Sequence, residues 1–190
     1  MCDFITSGRQ EPCKDSVGGI SAVYFVKYED VDSISYVDNA GDADDHVIDT
    51  VTGTTPVAYK YDVRNNSSYT ENIQASRESG TNYFEQVLEL TLIKLTKEDH
   101  KAIKALSVGR PRIIIEDNMG NLMMAGTEHG CDVTGGTVVT GGAMGDMSGY
   151  TLSFTGMERF PANFLDKGGI TDVETILISG LGFDSVNSGS

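Results

Sequence analysis

The sequence predicts a mainly β fold, an antiparallel β-sandwich or barrel with a long β-hairpin and one short flanking α-helix. Three observations lead to this prediction. The 190 residues include 22 glycines but only four prolines, a composition typical of short strands joined by many turns. Several runs rich in β-branched and aromatic residues show the alternation expected of strands. Only one segment has the periodicity of an amphipathic helix.

The chain length fits one domain with an arm at each end. Residues 1–19 are predicted to form an irregular N-terminal arm, residues 20–165 the β domain, and residues 166–190 a C-terminal arm. The β domain begins with Ile20–Tyr28, a strand in which both alternating faces are apolar. Such a strand belongs in the middle of a sheet, or between the sheet and a partner. Within the C-terminal arm, Val173–Ile178 is predicted to be a last short strand.

The longest strand pair is predicted at about residues 67–95, as a hairpin that turns just before Thr81, where Gly80 can adopt a positive φ. One side of this hairpin is apolar and the other is polar. The polar side, which we expect to face water, comprises Thr70, Asn72, Gln74, Ser76, Glu85 and Glu89. A two-stranded ribbon is marginally stable alone, so the hairpin requires further strands from the same chain or from a neighbour.

The single predicted helix follows the hairpin, at about residues 97–107. Thr96 is placed to cap its N-terminus, and Asp99 three residues later completes a pair that resembles a capping box. Gly109 and Pro111 end the helix. A helix of this length is unstable alone and must pack on the sheet.

The net charge of −14 comes from 28 acidic and 14 basic residues. Such a chain is not expected to bind nucleic acid through its phosphates, because that contact needs lysine and arginine. The acidity favours solubility, although an acidic wall could also repel nucleic acid inside a conduit. The first residues have no apolar signal-peptide core, and no apolar run approaches about 18 residues, so no membrane segment is expected.

No motif for catalysis or cofactor binding is evident. The glycine-rich segment 141–145 lacks both the lysine and the following helix of a phosphate-binding loop. His129, Cys131 and Asp132 offer the groups of an activated thiol, but catalytic partners usually converge from distant parts of a chain. A turn histidine beside a buried cysteine is therefore preferred. We predict no catalytic residues, no enzyme activity and no cofactor.

An acidic turn after the second predicted strand is the strongest metal candidate. It places five oxygen-bearing residues within a short span, namely Asp38, Asn39, Asp42, Asp44 and Asp45. Gly41 falls too early for the spacing of an EF-hand, so a solvated acidic turn is preferred to a Ca²⁺ site. The three cysteines are widely spaced and form no Cys/His cluster, and we predict no metal site.

Two segments of the chain and the region between them resemble a known family. The segments are Glu11–Val26 (EPCKDSVGGISAVYFV) and Gly141–Leu165 (GGAMGDMSGYTLSFTGMERFPANFL), and the long hairpin and the single helix lie between them. This order resembles virion structural proteins of tailed bacteriophages, and above all tail tube proteins. The resemblance covers residues 11–165, and its more specific part is the aromatic strand that ends in Gly-Met-Glu and is followed by Pro-Ala.

The resemblance implies a structural role. Tail tube proteins have a β-sandwich or barrel flanked by a helix and assemble into stacked hexameric rings around a channel through which the genome passes. The chain would then bind copies of itself and other tail proteins (tape measure, terminator and, in a contractile tail, the sheath), and DNA would pass without specific binding. It would assemble in the bacterial cytoplasm and reside in the virion tail, with the polar side of the hairpin facing the lumen.

Other functions stay open from the sequence alone. Another virion component, such as a tail terminator, a head–tail joining ring or a baseplate protein, would share these features, as would the tube protein of a contractile injection or secretion system. A small thiol enzyme and a monomeric β-binding module are more distant alternatives. Microscopy separates these classes, because a tube protein should polymerise, a terminator should form closed rings and a binding module should stay monomeric.

Overall fold

The computed structural model describes residues 14, 16–37, 47–63, 66–169 and 172–188, and these residues are mainly in β-strands. Two α-helical segments are present, α1 (Lys97–Leu106) and α2 (Val173–Thr175), and a π-helical turn (Ile176–Gly180) follows α2 directly. The strands in chain order are β1 (Ile20–Val26), β2 (Ser33–Tyr36), β3 (Val47–Thr52), β4 (Val57–Asp62), β5 (Ser68–Ser76), β6 (Thr81–Ile93), β7 (Arg112–Asp117), β8 (Leu122–Ala125), β9 (Asp132–Val139), β10 (Gly149–Glu158), β11 (Asn163–Leu165) and β12 (Ser185–Ser188).

The strands form two sheets. The larger has eight strands in the order β12-β4-β1-β7-β8-β11-β3-β2, and the smaller has four in the order β5-β6-β10-β9. All neighbours in the smaller sheet are antiparallel. In the larger sheet, β11 runs parallel to β3 and β12 runs parallel to β4, so the prediction of a purely antiparallel fold is wrong at these two pairs. Both pairs join strands that are distant in sequence, which tight turns cannot connect.

β1 lies between β4 and β7, in the interior of the larger sheet, as its two apolar faces predict. One face of β1, with Val23 and Phe25, packs against side chains of the smaller sheet, including Leu90 and Phe154. We call this cluster the inter-sheet core. The opposite face, with Tyr24, contributes to a second cluster on the other side of the larger sheet.

The second cluster is closed by the C-terminal segment, and we call it the C-terminal core. Ile176 and Leu177 of the π-helical turn, and Phe183 just after it, are buried there. β12 then adds to the edge of the larger sheet. Residues 172–188 therefore belong to the folded domain and do not form the arm predicted at residues 166–190. The strand predicted at Val173–Ile178 is wrong as well, because this stretch is helical.

The predicted hairpin and helix occur at the expected places. β5 and β6 pair from Ser68 opposite Glu89 to Ser76 opposite Thr81, and the turn between them contains Gly80 at φ 65°. The side chain of Thr96 caps α1 by accepting a hydrogen bond from Asp99 N at 3.0 Å. Most of the predicted N-terminal arm, residues 1–19, lies outside the described residues.

Candidate functional site

The six residues predicted for the polar side of the hairpin lie on one face of the smaller sheet. Asn72 is directly opposite Glu85, and the amides of Asn72 and Gln74 both donate to Glu85 Oε2 at 3.5 Å. Thr70 and Ser76 are exposed on the same face of β5, and Glu89 is exposed on β6. Directly opposite residues of an antiparallel pair share a face, so the shared position of these side chains follows from the register.

The same face continues across β10 and β9. Ser153 of β10 is opposite Glu89, and Thr155 Oγ1 lies 3.0 Å from Thr134 Oγ1 of β9. We define the polar face as the outward side of the four strands, and its polar members are Ser68, Thr70, Asn72, Gln74, Ser76, Thr81, Glu85, Glu89, Thr91, Asp132, Thr134, Thr137, Thr151, Ser153 and Thr155. Hydroxyl groups and three carboxylates dominate it, with Val87 as an apolar residue in its middle, and such a surface suits contact with water.

The smaller sheet has two open edges. β5 and β9 are its outer strands, and no described strand pairs with the outer side of either. The two edge strands run in opposite directions because the three pairings between them are all antiparallel. β5 has nine residues and β9 has eight, so the two edges are of nearly equal length. An exposed strand edge of this kind presents unpaired backbone groups to another chain.

Buried polar groups fix the other face of the smaller sheet to the rest of the fold. Gln86 of β6 is 2% exposed, and its Oε1 accepts from Gly126 N at 2.9 Å. Glu71 of β5 accepts from Ala162 N at 2.7 Å and from the Tyr69 hydroxyl at 2.5 Å. Burial, and then this hydrogen bond, raise the pKa of Tyr69 well above its usual range. These contacts hold the sheet in a fixed orientation, since buried polar groups need their partners.

Glu158, at the end of β10, is the most buried carboxylate of this region. Its oxygens accept from His129 N at 2.8 Å and from Glu128 N at 3.2 Å and 3.3 Å, and one of them lies 3.3 Å from His129 Nδ1. Glu128 Oε2 lies 4.0 Å from the same ring nitrogen. Among the described residues, Glu128, His129 and Glu158 are the group whose oxygen and nitrogen atoms lie close enough together to hold a divalent cation. The backbone donors already stabilise the buried carboxylate without one.

The other sequence candidates do not assemble into a reactive centre. Cys131 is 2% exposed, and burial raises the pKa of its thiol to about 12, so little thiolate exists at neutral pH. The imidazole of His129 is directed to Glu158. In the glycine-rich segment 141–145, a phosphate would need backbone N–H groups as donors. Those of Gly142 and Ala143 instead donate to Oδ2 of the following Asp146, at 2.9 Å and 2.7 Å.

The acidic turn that contains Asp38 and Asp45, together with His46, lies outside the described residues. His100 lies on α1 with its ring 6.3 Å from that of Tyr150. The residues of β10 on the polar face were missed by the sequence analysis, although the alternation in Gly149–Glu158 carried the signal.

Two findings bear on the class of protein. None of the helices in the described part of the chain has both the length and the apolar character required to cross a bilayer. No protein-family model, curated protein or solved structure matches the chain.

Proposed function

We propose that this chain is a tail tube protein of a tailed bacteriophage, whose copies form stacked hexameric rings around a channel for genome delivery. The observation that carries the proposal is a four-stranded sheet with one polar face and two open edges that run in opposite directions. In this proposal the two sheets and the flanking helix α1 correspond to the β-sandwich of tail tube proteins, and the resemblance in sequence described above points to the same family.

The open edges support ring formation. Rotation about a ring axis keeps the up or down direction of every strand, so β5 of one copy meets β9 of the next in an antiparallel pair. The contact joins two different edges, and a contact of this type closes into a ring when the rotation allows it. Closure also pairs the backbone groups that the open edges leave exposed.

Strand geometry gives the size of such a ring. Six copies with four strands each, spaced about 4.8 Å apart and tilted by about 40°, form a barrel roughly 50 Å across between backbones. Side chains reduce this width by roughly 10 Å, since each layer occupies about half of the usual spacing between packed sheets. A water-filled channel of roughly 40 Å remains. The polar face lies on the side of the sheet that faces away from the inter-sheet core, so it lines the channel.

The chemistry of the polar face suits the passage of DNA. Glu85, Glu89 and Asp132 place three carboxylates per copy on it, and the described residues put no lysine or arginine on the face between its ends. Carboxylates repel phosphates, and hydroxyl groups bind water without the strong attraction that cations would add. The genome would therefore slide along the wall without specific binding.

Electron microscopy and an ejection assay test the proposal. The purified chain should form rings or tubes in negative stain, and phage particles with Glu85→Lys and Glu89→Lys should eject DNA slowly or incompletely. The matched control is Glu98→Lys, an exposed change on α1 away from the polar face. Normal ejection with both lysines present would contradict the channel assignment.

The same preparation separates the other functions. Closed rings that never lengthen would indicate a tail terminator or a head–tail joining ring. A protein that stays monomeric at high concentration would contradict a tube and favour a binding module. Tubes found together with a secretion apparatus would assign the chain to an injection system.

A further inference from the structure

We propose that Glu128, His129 and Glu158 form a binding site for a zinc ion. One oxygen of each carboxylate and the Nδ1 atom of the imidazole are its ligands. The ligand atoms of these three side chains all lie within 4.8 Å of one another. Zinc would bind here whether or not copies of the chain form a tube.

The separations of the ligand atoms match those around a zinc ion. Glu158 Oε2 lies 3.3 Å from His129 Nδ1, and Glu128 Oε2 lies 4.0 Å from the same nitrogen. Bonds of about 2.0–2.1 Å in a tetrahedral arrangement place two zinc ligands about 3.3 Å apart. The first pair already has this separation. The second is wider, but the side chain of Glu128 is 47% exposed and can move to close the difference.

The buried carboxylate directs one of its oxygens at the site. The side chain of Glu158 is 1% exposed. Its Oε1 accepts from His129 N at 2.8 Å and from Glu128 N at 3.2 Å, whereas its Oε2 lies 3.3 Å from Glu128 N and 3.3 Å from the imidazole nitrogen. One backbone N–H is thus shared between the two oxygens, and each oxygen of a carboxylate can accept about two hydrogen bonds. Oε2 therefore keeps a lone pair for a ligand on the side of the imidazole.

The charge of the two carboxylates also favours a cation at this place. Within the described part of the chain, neither Glu128 nor Glu158 forms an ion pair with a lysine or an arginine. The guanidinium of Arg112 donates to three backbone carbonyl oxygens instead. A buried charge is costly unless an opposite charge accompanies it. A divalent ion between the two acidic side chains would offset both charges at once.

The loop that carries two of the ligands is held in place by its own backbone contacts. It links β8 of the larger sheet to β9 of the smaller sheet and contains Gly126 and Gly130 in the left-handed region, at φ 69° and 77°. Gly130 N donates to Gly126 O at 3.1 Å, and the Tyr28 hydroxyl donates to Glu128 O at 2.6 Å. Since the backbone is fixed, binding requires only side-chain rotations and loses little conformational entropy.

The donor set selects the ion. One imidazole nitrogen and two carboxylate oxygens suit Zn²⁺, which takes four ligands, whereas Mg²⁺ and Ca²⁺ require about six or more, predominantly oxygen atoms. Three protein ligands leave the fourth position to water, which can reach the site because the side chain of His129 is 66% exposed. The ion would join the loop between the two sheets to the end of β10, so zinc should raise the melting temperature.

Calorimetric titration with ZnCl₂ at about pH 7.5, where an imidazole is mostly neutral, tests the proposal. All proteins carry Cys2→Ser, Cys13→Ser and His46→Gln, which remove the thiol and imidazole groups that lie outside the described residues. One site with a Kd below about 100 μM is expected. Glu128→Gln and His129→Gln should each raise this Kd at least about tenfold, because even the loss of an outer hydrogen-bond partner of a metal ligand has an effect of that size.

The matched controls are Glu98→Gln and His100→Gln, two exposed residues of α1, which should leave zinc binding unchanged. Zinc at a hundredfold excess over its Kd should raise the melting temperature of the reference protein and of both controls by roughly 5–10 °C. Mg²⁺ at the same concentration should have no such effect.

Two results would overturn the proposal. One is zinc binding of equal strength in the reference protein and in either site variant, and the other is the absence of any site with a Kd below about 100 μM. If a glutamine variant fails to fold, as circular dichroism would show, Glu128→Ala and His129→Ala carry the same test. Tube formation by these variants is a separate measurement and bears only on the proposed function.

Discussion

Replacement of Glu158 by glutamine should destabilise the fold more than its conservative character suggests. The side chain is 1% exposed, and its carboxylate is the acceptor for two consecutive backbone N–H groups, those of Glu128 and His129. An amide at this position can still accept from His129 N through its carbonyl oxygen. The same oxygen can also accept from Glu128 N at 3.2 Å, but the NH₂ group takes the place of the second carboxylate oxygen, 3.3 Å from that N–H, and puts a donor against a donor there.

The expected cost follows from these contacts. Loss of the negative charge from the hydrogen bonds of both backbone donors, together with the donor–donor contact, should lower the free energy of unfolding by about 1–2 kcal/mol. Glu158→Ala leaves both backbone donors without a partner and should cost about 3–5 kcal/mol. Stabilities of domains are commonly about 5–15 kcal/mol, so the alanine variant approaches the limit of folding.

Urea unfolding monitored by circular dichroism measures these differences, since the chain contains no tryptophan to follow by fluorescence. The concentration should be one at which sedimentation shows monomers, so that assembly does not contribute. Glu89→Gln is the matched control, because Glu89 is exposed and should change stability by less than about 0.5 kcal/mol. A loss below about 1 kcal/mol for Glu158→Gln would refute the assigned role of the buried carboxylate.

Three further predictions concern the glycine that begins β10, the buried thiol and the buried phenols. Gly149→Ala should disrupt the smaller sheet, visible as a lower melting temperature, because its new Cβ would lie 2.1 Å from a backbone oxygen of β6. With the other two cysteines changed to serine, Cys131 should react with a thiol reagent at pH 8 only after urea is added. Burial raises the pKa of its thiol to about 12, which leaves almost no thiolate in the folded protein. Rapid reaction of the folded form would contradict this burial. Burial raises the pKa of Tyr24 and of Tyr69, so their contribution to stability is complete below about pH 10 and falls as the pH rises further. Tyr24→Phe should weaken that dependence in alkaline unfolding curves.

Local sequence pattern predicted much of the smaller sheet. Strict alternation in the hairpin places Leu88 and Leu90 on one side and the six polar candidates on the other, and the register observed in the structure agrees. Gln86 interrupts the apolar side, and its role was not predictable. Its partner, Gly126 N, is 40 residues away, so only the folded chain brings the two groups together.

The C-terminal segment shows where local pattern fails. Val173–Ile178 is rich in β-branched residues, which favour strands. Asp172 instead caps a helical turn by accepting from Thr175 N at 3.0 Å, and the consecutive side chains Ile176 and Leu177 are both buried. A strand would point these two side chains to opposite sides. Burial of both in the C-terminal core therefore outweighs the local preference.

The extent of the candidate site depended on long-range pairing. Periodicity within the hairpin was sufficient to group Glu85 with Glu89. Thr151 and Ser153 joined the same face only because β10 pairs with β6 in a particular register, and a shift of one residue would have turned them inward. The open edges likewise depend on the strand order of the whole sheet, which no local pattern encodes.

β1 and β7 form a wall that is shared by both cores, and this has a consequence for cooperativity. Val23 and Tyr24 are neighbours in the chain, yet one packs in the inter-sheet core and the other in the C-terminal core. Neither core can loosen without weakening the backbone that supports the other. Partial opening from either side is thus suppressed, the amide hydrogens of this wall should exchange last with solvent, and the chain should unfold as one unit.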